Sequence, residues 1–199
     1  MPRHLSLLMV LALLAGCSAS PPTRYHALTQ TAPPAGGGSA RMLVEFLPVA
    51  VPERLNRDEM VLTGVDGAIS VREADHWAAP LSDEVRQIVA DALWRKSGAV
   101  DDYKAPLPLG ASKLPAYRLS LRIERFEAGP GHAALVDAGW TLRRLPEGAA
   151  AVCRLVIQGD AADNPDAAAR ALSAATVRLA DAVGESLQRL ELGAAASCP

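Results

Sequence analysis

The residue whose setting most clearly prescribes a reaction is Cys17, which closes the tetrapeptide Leu14-Ala15-Gly16-Cys17. Two small residues let a signal peptidase reach the backbone, and the cysteine thiolate is a nucleophile able to accept a diacylglycerol group. Arg3 and His4 precede it, followed by the apolar run Leu5 to Leu14, which is the charge-then-apolar order of an export signal. As a helix, Leu5 to Ala15 reaches only about 17 Å against a hydrocarbon core of about 30 Å, so the run is too short to span. Cleavage before Cys17, leaving residues 1–16 as a signal peptide, is therefore expected. Two or more acyl chains on Cys17 then hold the protein stably at a membrane surface. Ser18 follows where retention at the inner membrane typically requires Asp, which points to the periplasmic face of the outer membrane.

The other reactive side chains assemble into nothing comparable. In an oxidising compartment Cys153 and Cys198 are an even pair able to form a disulfide, and Cys153 can equally serve as a small buried hydrophobe. Neither has the Cys-x-x-Cys spacing of a redox or zinc site. Gly184-Glu185-Ser186-Leu187-Gln188 falls inside a helical pattern and not on the strand-to-helix turn of a nucleophile elbow. Gly36-Gly37-Gly38 lacks the Lys-Ser/Thr that lets a glycine loop cradle phosphate. His26, His76 and His132 stand far apart with no second ligand at helical spacing, so no metal or cofactor is expected. Asp58-Glu59 and Asp101-Asp102 read as solvated turn residues. A hydrolase would have to draw on Ser70, Ser82, Ser112 and His76, which form no recognisable set. The sequence reads as a non-enzyme.

The elements that carry these residues follow from pattern. Residues 17–40 form a lipidated N-terminus and a tether rich in Pro, Ser, Thr, Ala and Gly, too poor in apolar surface to order itself. Its one island, Tyr25-His26-Ala27-Leu28, reads as an edge strand or a docking peptide. Residues 41–199 are one domain by size. The net formal charge is -2 with no basic stripe, which excludes nucleic acid as an expected partner.

Arg41 to Val51 suits a strand buried on both faces, stopping at Pro52. Glu59 to Thr63 and Ala68 to Arg72 flank Asp66-Gly67 as a hairpin. Leu81, Val85, Ile88, Val89, Ala92 and Leu93 form a helical stripe, with acids in the first turn, Arg95-Lys96 in the last, and Gly98 beyond. Asp101 to Pro115 reads as a connection. Tyr117, Leu119, Leu121 and Ile123 alternate with Arg118, Ser120, Arg122 and Glu124; Phe126 is out of phase, so a bulge near Glu124-Arg125 is expected. The runs Ala134 to Leu142 and Cys153 to Ile157 complete an antiparallel meander. Asn164-Pro165-Asp166 opens a long helix that Gly193 ends. The order strands, helix, strands, helix predicts a single α+β domain, a mainly antiparallel sheet with two helices on one face.

Taken in order, Tyr25-His26-Ala27-Leu28, then Val49-Ala50-Val51-Pro52-Glu53-Arg54-Leu55-Asn56-Arg57, His76-Trp77-Ala78-Ala79-Pro80-Leu81, Tyr117-Arg118-Leu119, Arg125-Phe126 and Trp140 resemble the ABC-type transport auxiliary lipoproteins, the paraquat-inducible protein C-like family. The resemblance covers nearly the whole mature chain and departs at Thr63-Gly64, where relatives carry a basic residue. It implies an accessory subunit of a transport system whose periplasmic component has a mammalian-cell-entry (MCE) domain, moving phospholipid or other hydrophobic molecules between the two membranes. The implied partners are the MCE-domain protein, the ABC permease and ATPase, and further copies of the chain itself. Val51, Pro52, Arg54, Leu55 and Trp77 are the candidate contacts, because a proline-fixed loop bearing an aromatic makes a good anchor; Trp77 can equally seal the helix start. A lipoprotein scaffolding another envelope machine, for cell-wall synthesis or secretion, is the alternative reading.

Overall fold

The computed structural model describes residues 21–29, 38–103, 113–194 and 198–199. The signal peptide, Cys17 and half of residues 17–40 lie outside them. The described chain forms an α+β domain with strands β1 (Arg24–His26), β2 (Met42–Phe46), β3 (Glu59–Thr63), β4 (Ile69–Trp77), β5 (Ala99–Asp101), β6 (Ala116–Gly129), β7 (His132–Arg144) and β8 (Ala150–Ala161). Helix α1 (Leu81–Ser97) separates β4 from β5, and α2 (Pro165–Glu191) follows β8. The strands divide between a three-stranded sheet, β1-β4-β3, and a five-stranded sheet, β5-β2-β6-β7-β8.

Long alternation builds the second sheet. Tyr117, Leu119, Leu121 and Ile123 of β6 are buried, whereas Arg118, Ser120, Arg122 and Glu124 face solvent. The register with β7 shifts between Ile123 and Arg125, and this bulge returns Phe126 to the buried face. Trp140 and Leu142 of β7 and Cys153 and Ile157 of β8 continue that inner face. Each large apolar side chain of this layer removed from water contributes about 1.5–3 kcal/mol to the driving force for the fold.

The helices start and stop where their end residues dictate. The Asn164 side chain accepts a hydrogen bond from the Ala167 N–H, with Pro165 in the first turn. Gly98 ends α1 in the left-handed conformation, φ 63°, returning its N–H to the Leu93 and Trp94 carbonyls. Gly184, in mid-α2, faces Lys96; a Cβ there would lie 2.6 Å from Lys96 Cδ. The two helices therefore approach closely at that point, where Gln188 also donates to the Lys96 carbonyl.

Three features depart from the sequence expectation. Ala99–Asp101 is a strand parallel to β2, where the chain after Gly98 was expected to run directly into a connection. β2 is parallel to β6 as well, so the meander of β6, β7 and β8 is antiparallel but its neighbour is not. The strand expected over Arg41 to Val51 leaves the sheet after Phe46, and Ala50 rejoins it only as a bridge to Arg122. Arg86 of α1 explains that exit: its guanidinium donates to the Phe46 and Leu47 carbonyls and pairs with Asp101, so a side chain replaces lost ladder partners.

Candidate functional site

Where the tether meets the body, a short strand is fastened by an unusual concentration of polar contacts. β1 lies parallel to β4 in the register Arg24 to Asp75, Tyr25 to His76 and His26 to Trp77. Three residues of parallel pairing hold little by themselves, so side chains must do the holding. The Asp75 carboxylate, 1% exposed, accepts from Arg24 at 2.7 Å and from His26 Nε2 at 2.9 Å. His26 Nδ1 stands 3.5 Å from Asp166 in the first turn of α2, and Arg24 also reaches Asp166 at 3.4 Å. Arg72 approaches Asp75 at 3.8 Å.

The chain beyond β1 is clasped in turn. The Ala78 N–H donates to the His26 carbonyl at 2.7 Å, the Leu28 N–H to Glu84 Oε2 at 2.9 Å, and the Thr29 N–H to Ser173 Oγ at 3.1 Å. Leu28 is buried in the core. β1 and the residues after it are thereby tied to β4, α1 and α2 together. Burial pushes the Asp75 carboxyl up, but the His26 hydrogen bond and the Arg24 charge outweigh it and hold the group below its ordinary value.

This cluster is built for holding. Both His26 ring nitrogens face carboxylates, which leaves neither in position to take a proton from a nucleophile. His76 engages the Glu73 carbonyl, and His132 engages those of Ala133 and Thr63. Ser186 is buried in α2, where its Oγ accepts from Trp140 Nε1 at 3.2 Å. Ser70 is exposed on β4 and Ser82 half-buried on α1, far from forming a set with His76; Ser112 lies outside the described residues. Among the described residues no group of His, Cys, Asp and Glu could hold a metal ion, and no helix is long and apolar enough to cross a membrane.

The residues proposed from sequence fall in separate places. Cys153 and Cys198 form a disulfide that fixes the C-terminal residues beside β8. Leu55 and Trp77 are buried in the core, Trp77 edge-on to Phe126 at 6.2 Å, so neither side chain is available to a partner. Trp77 seals the end of β4 against β6. Val51 and Pro52 are half-buried, and Arg54, on a single 3-10 turn over Glu53–Leu55, is exposed with Glu127 at 3.5 Å. The His26–Asp75 pair was not foreseen: its members stand 49 positions apart. The only available signal was a histidine inside an island of Tyr and Leu in an otherwise low-complexity tether.

A family model described as the ABC-type transport auxiliary lipoprotein component matches residues 26–184. No curated protein matches the sequence. Among solved structures, an uncharacterized protein aligns with TM-score 0.62 at 17% identity, covering 84% of this chain and 99% of that one. A protein from Xanthomonas campestris aligns with TM-score 0.60 at 18% identity over 86% of this chain and 98% of its own. The PelC dodecamer from Paraburkholderia phytofirmans aligns with TM-score 0.39 at 13% identity, over 74% of this chain and 92% of that one. The first two share this fold.

Proposed function

The chain belongs to the ABC-type transport auxiliary lipoprotein component family, and from that premise we propose that it is a lipid-anchored periplasmic subunit of an MCE-type ABC transport system. In this reading it sits at the outer membrane through acyl chains on Cys17. It helps pass phospholipid or other hydrophobic molecules between the membranes by docking onto the MCE-domain protein and, through it, the permease and ATPase. It carries out no catalysis. Self-association belongs to the same reading.

The observation that carries the proposal is the clasp at the root of the tether. A lipoprotein that only had to stay near a bilayer would need no ordered link between anchor and body. Here the chain is fixed to strand β4 and to both helices within a few residues, which transmits the anchor point to the body as a defined position. A defined position matters for a conduit, because each exposed CH₂ of a lipid in transit costs about 0.8 kcal/mol. The test is affinity purification of the tagged full chain from membranes in mild detergent, followed by mass spectrometry. Recovery of an MCE-domain protein with its permease supports the reading; recovery of neither refutes it.

A further inference from the structure

The exposed apolar side chains of the three-stranded sheet gather on one face. In the β3–β4 ladder Met60 stands opposite Arg72 and Leu62 opposite Ser70, and Met60 and Leu62 are buried in the core. The alternate positions therefore point outwards, Val61 opposite Val71 and Thr63 opposite Ile69. Glu59 stands opposite His76 on the same outward face. His76 carries that face across to β1, where the Tyr25 ring lies 5.8 Å from its own. Tyr25 is 71% exposed, Ile69 55% and Val71 39%, and Val65 continues the strip into the hairpin turn at 72%.

The strip begins where the anchor ends. Arg24 follows Cys17 by seven positions. Fully extended, that stretch reaches about 24 Å at about 3.4 Å per residue, whereas a body of this size is about 40 Å across. Because β1 is clasped to β4 and to both helices, the reach ends at a fixed point on the body, and Tyr25 is the next residue. A leash shorter than the body keeps this face beside the bilayer, and docking becomes an intramolecular event at high effective concentration. Tyrosine is a side chain that settles at the membrane–water interface, its ring apolar and its hydroxyl wet. Charge supplies no attraction here: Arg24 is paired with Asp75 and Asp166, Arg57 with Glu59, and Arg72 lies 3.8 Å from Asp75. Helix α2 opens beside β1, with Asp166 3.4 Å from Arg24, and runs for 27 residues to exposed Leu192. At about 1.5 Å per residue its far end stands about 40 Å from the tether root.

We infer that the outward face of the β1-β4-β3 sheet is a membrane-contacting surface, seated on the bilayer that holds the acyl chains, with Tyr25, Ile69 and Val71 in the interfacial layer. The occupant is a lipid surface because the leash from Cys17 ends on this face and on no other. The inference rests on the anchoring through Cys17 in the proposed function and adds the orientation of the body on the membrane. It does not depend on the transporter.

The test reconstitutes the full acylated chain into phosphatidylcholine vesicles, with and without phosphatidylglycerol. A maleimide-linked NBD fluorophore is placed at Val71→Cys or, as the distal control, at Leu192→Cys. Cys17 is blocked by its thioether, and Cys153 and Cys198 by their disulfide, so only the introduced thiol is labelled. Flotation with the vesicles reads the anchor, and quenching by brominated lipid reads the contact. The Val71 label is expected to lose about half of its emission in both vesicle types, as an interfacial position should, while the Leu192 label is unchanged. A chain that floats with its Val71 label unquenched overturns this inference alone. Equal quenching at Leu192, or quenching only where phosphatidylglycerol is present, also overturns it. So does a label shielded from aqueous iodide but untouched by brominated lipid, which would place protein on the strip. A chain that does not float overturns the anchoring through Cys17 and the inference with it. Should Val71→Cys fail to fold by circular dichroism, Ile69→Cys carries the label with the same expectation and the same refuting outcomes.

Discussion

Asp75→Asn isolates the charge that holds the tether root. The substitution keeps the shape of the side chain and its capacity to accept a hydrogen bond, but removes the negative charge facing Arg24 and His26. A hydrogen bond to a charged partner contributes about 1.5–3 kcal/mol and a neutral one about 0.5–1.5, so each of the two contacts loses about 1–1.5 kcal/mol. Arg24 is half-exposed, and solvent screening reduces its share. The sum is about 2 kcal/mol, which in a domain of this size lowers Tm by about 4–8 °C. Calorimetry at pH 7 reads the global effect. Hydrogen exchange reads the local one: the Ala78 and Thr29 amides, which bond across the clasp, should lose protection before the β6–β7 ladder does. A Tm within 1 °C of wild type, with those amides still protected, would refute the assignment of Asp75 as the fastening charge.

Acid titration should show stability falling as pH drops below about 4. Asp137, held down by the Arg154 hydrogen bond, Glu127, held down by that of Arg125, and Asp75 all have folded-state values below their ordinary ones, so their contribution is complete above the ordinary carboxylate range and lost as pH falls through the lowered values; urea melts at stepped pH check the sign. Replacing both Cys153 and Cys198 by Ser should cost about 2–4 kcal/mol, because the bond closes a loop with a sequence separation of 45; equilibrium unfolding with and without reductant measures it. Gly129→Ala should destabilise by about 1–3 kcal/mol, since its Cβ would stand 2.3 Å from the Thr63 carbonyl oxygen, and thermal melts report it.

The elements with long internal periodicity are legible in the sequence. The cap at Asn164 and the bulge after Ile123 are both local events, written in residues adjacent in sequence. β5 was not legible, because three residues carry no period and its pairing depends on β2, more than fifty positions away. The partition into two sheets escaped for the same reason: the register of β4 with β3 breaks between Arg72 and His76, and nothing in those residues announces which neighbours each half will find. The clasp was half visible. Tyr25-His26-Ala27-Leu28 stood out as an island against its surroundings, yet Asp75, beyond the strand expected over Ala68 to Arg72, carried no signal of its own. Trp77 illustrates the converse, an aromatic beside a proline-bearing loop that resembles a docking anchor and is consumed by the core.

The most direct test of the account compares the tagged full chain with its Cys17→Ser variant in the native envelope, scoring both membrane association and recovery of the transport partners. The account predicts that the wild-type chain partitions with membranes and brings down the MCE-domain protein and permease, whereas the variant is released to the soluble periplasm with recovery reduced at least tenfold. Undiminished membrane association of the variant, or a membrane-bound wild-type chain that captures no component of such a system, would contradict it.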